Sequence, residues 1–393
     1  MGKIVIYGAG KIGRGYLGQL MTLSDAAFTF IDIDAPLVEK LNASQSYNIH
    51  ITADDRFEPF TVSGYDALNA DDPSADSAFA NAAAVFTAVG VSNLPALAVQ
   101  LARGIIARER HNSEPLNIFL CENKIGASEL LRELIAGQLT DSVMSYFRLK
   151  IGLVGVAVGR TVPVAPKELT DEQPLALYSD GVLPLPYDRG AVIGELPKVK
   201  YLKPVEPFEL YIRRKLLIHN MCHALTAYLG SCGGYTYIWQ ARADGVIESF
   251  ERGALAESAA ALAAEYGVEA AELIEYGNQV LEGFKDKLLG DTAVRVGRDP
   301  IRKLGAGDRL SGALSLCRKH GVEPKHISAG IAAGLLFCPQ GDSAAQELSR
   351  FASDNGVDAA LRRYAGITDA ETVSRIENYY RLIKSGGLSA LKQ

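Results

Sequence analysis

The sequence predicts an α/β amino-terminal domain followed by a mostly α-helical carboxy-terminal domain. A short β-branched run at residues 3–7 leads directly into a glycine-rich loop and a helical pattern, as a parallel α/β unit begins. Strand-like runs alternate with helical segments in the first half, whereas nearly every segment after Pro207 has a helical period. A chain of 393 residues is also too long for one ordinary core. We therefore predict domains at 1–195 and 196–393.

Composition argues against several classes of protein. The net charge is −6 and no basic tract occurs, which argues against a nucleic-acid partner because phosphate binding needs clustered cations. No apolar run reaches the length of a membrane span, and the first residues do not resemble a signal peptide. The 5 cysteines form no CxxC pair, which favours reduced thiols over disulfides or structural zinc. We expect a cytoplasmic protein, as a monomer or small homo-oligomer.

The loop after the first strand has the spacing of a dinucleotide-binding motif. Gly8 allows a tight turn, Gly10 lets a pyrophosphate approach the backbone, and Gly13 lets the helix pack on the strand. The second strand ends at Asp32, where a carboxylate would accept the ribose hydroxyls. A glycine turn in some other α/β unit is the alternative, but strand, helix and acid together favour a Rossmann-type domain. The loop residues expected to bind the cofactor are Gly8, Ala9, Gly10, Lys11, Ile12 and Gly13.

The residues around Asp32 predict NAD rather than NADP. The carboxylate of Asp32 would repel a 2′-phosphate, and the following Ile33 and Asp34 supply no arginine to neutralise that phosphate.

Two further strands are predicted at 84–89 and 117–120. Ligands of parallel sheets gather at the carboxyl ends of the strands, so we expect Thr87, Gly90 and Asn123 near the cofactor. A turn role is the alternative for Asn123. Two alternating runs within 47–64 predict an inserted hairpin.

The second half is dominated by predicted helices, and the first of them carries unusual polar residues. At about 100° per residue, His219 would lie roughly 40° from Lys215, His223 roughly 80° and Asn220 roughly 140°. One broad side would then present an amine, an amide and an imidazole, although an ordinary surface helix is the alternative. The helices are predicted at 206–229, 246–266, 270–287, 306–320, 325–336, 346–355, 357–364 and 369–384.

A cationic loop is predicted at residues 295–309, broken by glycine and proline. The only acids within it are Asp299 and Asp308, which leaves an excess of three cations. A solvated face is one interpretation; bidentate binding of a phosphorylated or hydroxyl-rich ligand is the other. The five cations are Arg295, Arg298, Arg302, Lys303 and Arg309.

The chain resembles the polyol-specific long-chain dehydrogenases, and within them the enzymes that act on mannitol 1-phosphate. The resemblance is strongest in the motif Lys-x-x-x-x-Asn-x-x-His at Lys215, Asn220 and His223. It runs from the first strand to the last helices, so it covers both predicted domains. Further similar segments are the glycine loop, Asp32, 116–118, 121–123 and 296–310.

Two positions depart from the family pattern in the stretch before Arg160. Gly155 and Gly159 stand where the family usually carries aspartates, which puts the exact polyol in doubt more than the reaction. His219 and Cys222 also stand where other residue types are expected.

The resemblance implies metal-independent hydride transfer between D-mannitol 1-phosphate and D-fructose 6-phosphate, with NAD as cofactor. It implies Lys215 as the general base, Asn123 and Asn220 as donors to the reacting oxygen, and His223 as the residue that orients the substrate. A lysine base requires a site that lowers the ordinary lysine pKa of about 10.4. From the cationic loop we expect Arg295, Arg298 and Lys303 to bind the substrate.

Two other functions stay open at this point. The fold could serve an unphosphorylated polyol or a uronate. Alternatively, the protein could be a regulator that binds a dinucleotide without turnover, although an intact Lys/Asn/His set argues against that.

Overall fold

The computed structural model describes residues 2–53, 56–112, 114–122, 126–163, 165 and 167–392. The chain divides into two compact units, Met1–Ile212 and Arg213–Gln393. The first contains a parallel sheet flanked by helices, and the second is built from helices. The predicted fold class is therefore confirmed.

A six-stranded sheet forms the centre of the first unit, in the order β5-β2-β1-β6-β7-β8. All its pairings are parallel. The predicted hairpin is formed by the antiparallel pair β3 and β4, and β9 joins β3 in parallel. The strands are β1 Ile4–Tyr7, β2 Phe28–Asp32, β3 Ser46–Ala53, β4 Arg56–Ser63, β5 Tyr65–Asn69, β6 Ala84–Thr87, β7 Leu116–Leu120, β8 Ile151–Gly155, β9 Leu177–Ser179, β10 Leu185–Asp188 and β11 Leu202–Val205.

The central sheet is buried on both faces because successive side chains of its strands enter different apolar layers. In β1, Ile4 and Ile6 pack with Phe30 in one layer, whereas Val5 and Tyr7 belong to the other. This burial on both faces explains why the strand sequences are continuous apolar runs and do not alternate between apolar and polar residues. It also leaves the carboxyl ends of the strands as the natural place for a ligand.

The predicted helical segments are helical in the structure, although their ends differ by several residues in places, and shorter helices such as Ala35–Ser44 and Ile238–Arg242 were not predicted. In the first unit they are α1 Gln19–Leu23, α2 Ala35–Ser44, α3 Pro73–Ala80, α4 Leu94–His111, α5 Ala127–Ala136, α6 Asp141–Lys150 and α7 Lys167–Glu172, and α8 Phe208–Arg214 crosses the division. In the second unit they are α9 Met221–Cys232, α10 Ile238–Arg242, α11 Gly245–Tyr266, α12 Ala270–Gly283, α13 Ala293–Gly297, α14 Pro300–Lys303, α15 Arg309–Lys319, α16 Lys325–Leu336, α17 Ser343–Asn355, α18 Val357–Ala360 and α19 Ala370–Gly386.

Close packing of α16 against its neighbours fixes α9, which carries His223. A β-carbon on Gly330 would lie 3.0 Å from Leu225, and one on Gly334 would lie 3.1 Å from Tyr228. These two glycines therefore let the backbone of α16 approach side chains of α9. This close packing holds α9, and with it His223, against α16.

None of the helices among the described residues is long and apolar enough to span a membrane.

Candidate active site

The glycine loop joins β1 to a π-helical segment, Gly13–Gly18, that continues into α1. Gly8 has a φ of +94°, and a β-carbon there would lie 2.6 Å from the carbonyl oxygen of Ala88. A β-carbon on Gly13 would lie only 1.8 Å from the carbonyl oxygen of Gly8, so no side chain fits there. At Gly10, by contrast, a β-carbon would meet no described atom within 4 Å. The loop is thus tight on its inner side and open at Gly10, where a phosphate group could approach the backbone.

Asp32, the last residue of β2, holds the glycine loop. One carboxylate oxygen accepts the N–H of Ala9 at 2.6 Å, and the other accepts the N–H of Asp34 at 3.0 Å. Asp32, Gly8 and Gly10 line a cavity of about 240 Å³, and so does Ile33, whose surface is 70% exposed. An apolar side chain beside a carboxylate suits an adenosine, whose base is flat and apolar and whose ribose carries hydroxyls.

Thr87 is fully buried, and its hydroxyl donates to the carboxylate of Glu122 at 2.6 Å. The other oxygen of Glu122 accepts the N–H of Val89 at 3.0 Å. Burial raises the pKa of Glu122, and these hydrogen bonds partly offset that effect. Glu122 therefore ties the end of β7 to the turn that follows β6, where Gly90 has a φ of +86°.

This geometry gives Thr87 a supporting position rather than direct access to the cavity, whereas Ala88 and Val89 of the same turn do line the cavity. Sequence reasoning missed Glu122, although the residue stands at the end of a predicted strand. Asn123, the expected oxygen donor, lies outside the described residues.

We expect Glu122→Ala to raise KM for NADH at least about tenfold, because a buried hydroxyl and N–H would lose their acceptor at about 1–3 kcal/mol each. Glu122→Gln is the matched control, since its amide oxygen can still accept from Val89 and its amide nitrogen can donate to Thr87. Steady-state kinetics with varied NADH, together with melting temperatures of both variants, measure the effect. An unchanged KM in Glu122→Ala with a lowered melting temperature would reduce this contact to a purely structural one.

The motif helix differs from the predicted α-helix, because Lys215–Asn220 form a π-helical turn between α8 and α9. Such a turn closes with hydrogen bonds to the fifth residue, so Asn220 stands one wide turn after Lys215. The predicted separation of about 140° between these two residues assumed an α-helix and is therefore wrong. In the wider turn, Lys215 and Asn220 lie closer to the same side of the helix. The hydroxyl of Ser258, from α11, donates to the carbonyl of Leu217 within this turn at 2.6 Å.

His223 lies on α9 between an aromatic ring and a carboxylate. Its ring stacks on Phe284 with 4.6 Å between centroids and 22° between planes. Its Nε2 lies 3.4 Å from a carboxylate oxygen of Asp291. Sequence reasoning named neither Phe284 nor Asp291, since both lie far from the motif along the chain.

His219 is the second imidazole of this region, with its ring 6.2 Å from that of His223 and 6.0 Å from that of Phe284. Burial lowers the pKa of His219 to about 3, assisted by the nearby His223, Lys215 and Arg309. The ring is therefore neutral at physiological pH and adds no charge beside the motif lysine.

The cationic loop contains the short helices α13 and α14, and most of its cations have partners. Arg302 pairs with Asp299 at 3.1 Å. Arg309 pairs with Asp308 at 2.8 Å, and Arg295 pairs with Asp291, which precedes the loop. The predicted excess of three cations is wrong, because Asp291 precedes the loop and neutralises Arg295.

Lys303 and Arg298 have opposite environments within this loop. Lys303 is 6% exposed, and its ammonium donates to the carbonyls of Val296, at 2.6 Å, and of Arg298. Burial, reinforced by nearby arginines, lowers the pKa of Lys303 to about 7. These contacts give Lys303 the task of holding the loop backbone. The Arg298 side chain is exposed, and no described carboxylate pairs with it.

The two glycines that depart from the family pattern have different surroundings. A β-carbon on Gly155 would lie 2.5 Å from the ring of Phe208, so an aspartate there could not be accommodated without moving that ring. A β-carbon on Gly159 would meet only Val182, at 3.9 Å. Gly155, Phe208 and Glu122 line a cavity of about 620 Å³ in the first unit.

Among the described residues, no group of three or more His, Cys, Asp or Glu side chains is arranged to hold a metal ion. All five cysteines are free thiols.

Comparison with known protein families matches both halves of the chain. Residues 2–180 match the mannitol dehydrogenase Rossmann domain, and residues 205–384 match the mannitol dehydrogenase C-terminal domain. The chain is 34% identical over 384 residues to mannitol-1-phosphate 5-dehydrogenase of Caldanaerobacter subterraneus subsp. tengcongensis, covering 97% of this chain and 98% of that protein. The enzyme of the same name from Thermoanaerobacter pseudethanolicus gives the same identity and coverage.

Solved structures share the fold. Mannitol 2-dehydrogenase of Pseudomonas fluorescens, in a ternary complex with NAD and D-mannitol, matches with a TM-score of 0.74 at 14% identity, covering 100% of this chain and 94% of that chain. A substrate-free D-sorbitol dehydrogenase matches with a TM-score of 0.84 at 14% identity, covering 99% of this chain and 94% of that chain. The resemblance drawn from the sequence is confirmed by the family models and the curated relatives, and the chain belongs to the mannitol dehydrogenase family.

Proposed function

We propose that the protein interconverts D-mannitol 1-phosphate and D-fructose 6-phosphate by metal-independent hydride transfer, with NAD as cofactor and Lys215 as general base. The observation that carries this proposal is the complete motif of Lys215, Asn220 and His223. The relatives named mannitol-1-phosphate 5-dehydrogenase match the chain that bears this motif over nearly its full length. The open glycine loop, with Asp32 beside it, supports the assignment of NAD as the cofactor.

In this proposal the residues of the chain have separate tasks. Lys215 accepts the proton of the substrate hydroxyl, and Asn220 donates a hydrogen bond to the oxygen as negative charge develops, together with Asn123. His223 accepts a hydrogen bond from a neighbouring hydroxyl and so orients the substrate. NAD, when bound, accepts the hydride. No step requires a metal ion.

The π-helical turn supports the pairing of Lys215 with Asn220. A base and an oxyanion donor must both reach one substrate oxygen, which an α-helical separation of about 140° would make difficult. A hydrogen bond from Ser258 to the carbonyl of Leu217 stabilises the wider turn. Such single π turns are frequent at functional sites.

A screen of NADH oxidation with four carbonyl substrates tests the proposal. We expect turnover with fructose 6-phosphate well above that with fructose, tagaturonate and fructuronate.

The strongest turnover with a uronate or with fructose would support the second candidate, a related polyol or hexuronate dehydrogenase. That candidate is favoured by one observation, namely that four of the five loop cations already have protein partners. NADH binding without turnover on any of the four would instead support a regulator.

Arg298 is the loop cation best placed to hold a substrate phosphate, because its side chain is exposed and lacks a described acidic partner. We expect Arg298→Ala to raise KM for fructose 6-phosphate at least about tenfold, or about 1.4 kcal/mol, a usual value for a charge-assisted hydrogen bond. The effect should fall on KM because the phosphate contact is nearly the same in the ground and transition states.

The matched control is Arg302→Ala, which removes an exposed arginine of the same loop that is paired with Asp299. Its KM should stay within about threefold of wild type, since exposed ion pairs contribute little. Lys303→Ala is a poorer probe because it would release two loop carbonyls. If Arg298→Ala raised KM equally for fructose 6-phosphate and for fructose, Arg298 would not be the residue that binds the substrate phosphate.

A further inference from the structure

The imidazole of His223 is held in one orientation by two independent contacts. Stacking on Phe284, at 4.6 Å and 22°, fixes the plane of the ring. The contact of Nε2 with Asp291, at 3.4 Å, fixes the rotation of the ring within that plane. The other ring nitrogen, Nδ1, is therefore directed away from Asp291.

The charge on Asp291 also determines which ring nitrogen carries the proton. Burial acts to raise the pKa of Asp291, but the hydrogen bond from His223 and the charge of Arg295 outweigh burial and keep that pKa below its ordinary value. An ionised carboxylate only accepts hydrogen bonds, so Nε2 must donate. Burial lowers the pKa of His223, although Asp291 opposes this effect, so the ring is neutral at physiological pH. A neutral ring with its proton on Nε2 has a lone pair on Nδ1.

Asp291 is itself firmly placed. Its second carboxylate oxygen pairs with Arg295, one helical turn later in α13. Its backbone carbonyl accepts the N–H of Ile238, the first residue of α10, at 2.9 Å. The side chain of Asp291 is 12% exposed, whereas that of Arg295 is 52% exposed. Arg295 thus covers the solvent side of a carboxylate whose other side faces His223.

We propose that Asp291 is a positioning residue, which holds His223 with Nδ1 as the acceptor for a substrate hydroxyl, and that Arg295 holds Asp291. The hydroxyl acceptor rests on the proposed function, whereas the tautomer does not depend on that function. This assignment moves Arg295 from the expected substrate contacts to the support of His223. It also explains why an aspartate outside the cationic loop takes one of the loop arginines as its partner.

Nitrogen NMR of protein labelled with ¹⁵N-histidine tests the tautomer without any substrate. The His223 signals, assigned by their loss in His223→Gln, should show the proton on Nε2 at neutral pH. Asp291→Ala should remove that preference, whereas Asp291→Asn should keep part of it because its amide oxygen can still accept. A proton on Nδ1 in the wild type, or an unchanged tautomer in Asp291→Ala, would overturn the proposal. Arg295 and Lys303 also act on this ring, and the neutral ring of His219 lies 6.2 Å from it, so all spectra are compared at one pH.

A double-mutant cycle tests the effect on catalysis, with whichever substrate the wild type turns over. Asp291→Ala should lower kcat/KM at least about tenfold, and it should have almost no further effect in a His223→Ala background, because it acts through that ring. A merely structural loss would instead be the same in both backgrounds, and that additivity would overturn the positioning role. If the wild type turns over no polyol or ketose, the proposed function fails, while the NMR result still decides the tautomer.

Discussion

We expect Lys215→Ala to lower kcat by about 10²- to 10⁴-fold, the usual contribution of a positioned general base. NADH binding, followed by fluorescence, should stay near the wild-type value, because the cofactor contacts proposed above belong to the glycine loop and Asp32. Small amines added to the variant should restore part of the rate by replacing the missing amino group. Stopped-flow or steady-state rates with saturating NADH and ketose phosphate give the measurement.

A lysine elsewhere in the same unit provides the control for this change. Lys319 on α15 is exposed and pairs with Glu265, so Lys319→Ala should leave kcat within about twofold of wild type, as expected of a surface ion pair. Should Lys215→Ala retain most of its activity, Lys215 would be an ordinary surface lysine of its helix. The roles assigned to Asn220 and His223 would then lose their main support.

The second large effect concerns the choice of cofactor. We expect kcat/KM with NADH to exceed that with NADPH by about a hundredfold or more, or about 2.7 kcal/mol, because in the proposed cofactor site the charge of Asp32 would repel a 2′-phosphate. Asp32→Asn should shrink that ratio to about tenfold or less, since the amide keeps a hydrogen-bond acceptor but loses the charge. Its residual NADH activity would also report how much the glycine loop depends on the contact with Ala9.

Asp34→Asn is the control variant, because it removes a negative charge close to Asp32 but leaves Asp32 itself unchanged. The side chain of Asp34 accepts the N–H of Leu37 and so caps the amino-terminal end of α2, a role that asparagine also performs well. The ratio of NADH to NADPH should therefore stay close to wild type in this variant. A wild-type kcat/KM for NADPH equal to or above that for NADH would contradict the role of Asp32 in excluding the 2′-phosphate.

Local patterns in the sequence predicted most of the fold. The glycine loop, the first two strands and Asp32 are adjacent along the chain, so their spacing alone specifies the unit. Helices α11 and α16 were predicted within one residue of their observed ends, because long periodic segments leave little ambiguity. The hairpin of β3 and β4 was recognised from its two alternating runs.

The candidate site could be predicted only where its residues follow one another in sequence. The π turn at 215–220 could not be foreseen, because such a turn depends on contacts with distant residues such as Ser258. The partners of His223 and Thr87, namely Asp291 and Glu122, come from distant segments that only the fold brings together. The partner of Arg295, Asp291, lies only four residues earlier but just outside the cationic loop, so the net charge of the loop was overestimated.

Isotope transfer from the substrate tests most directly the claim that the protein oxidises D-mannitol 1-phosphate with NAD. D-Mannitol 1-phosphate carrying deuterium on carbon 5 should yield NADH with one deuterium, with D-fructose 6-phosphate as the product, both identified by mass spectrometry. Unlabelled NADH, or a product other than D-fructose 6-phosphate, would contradict that claim.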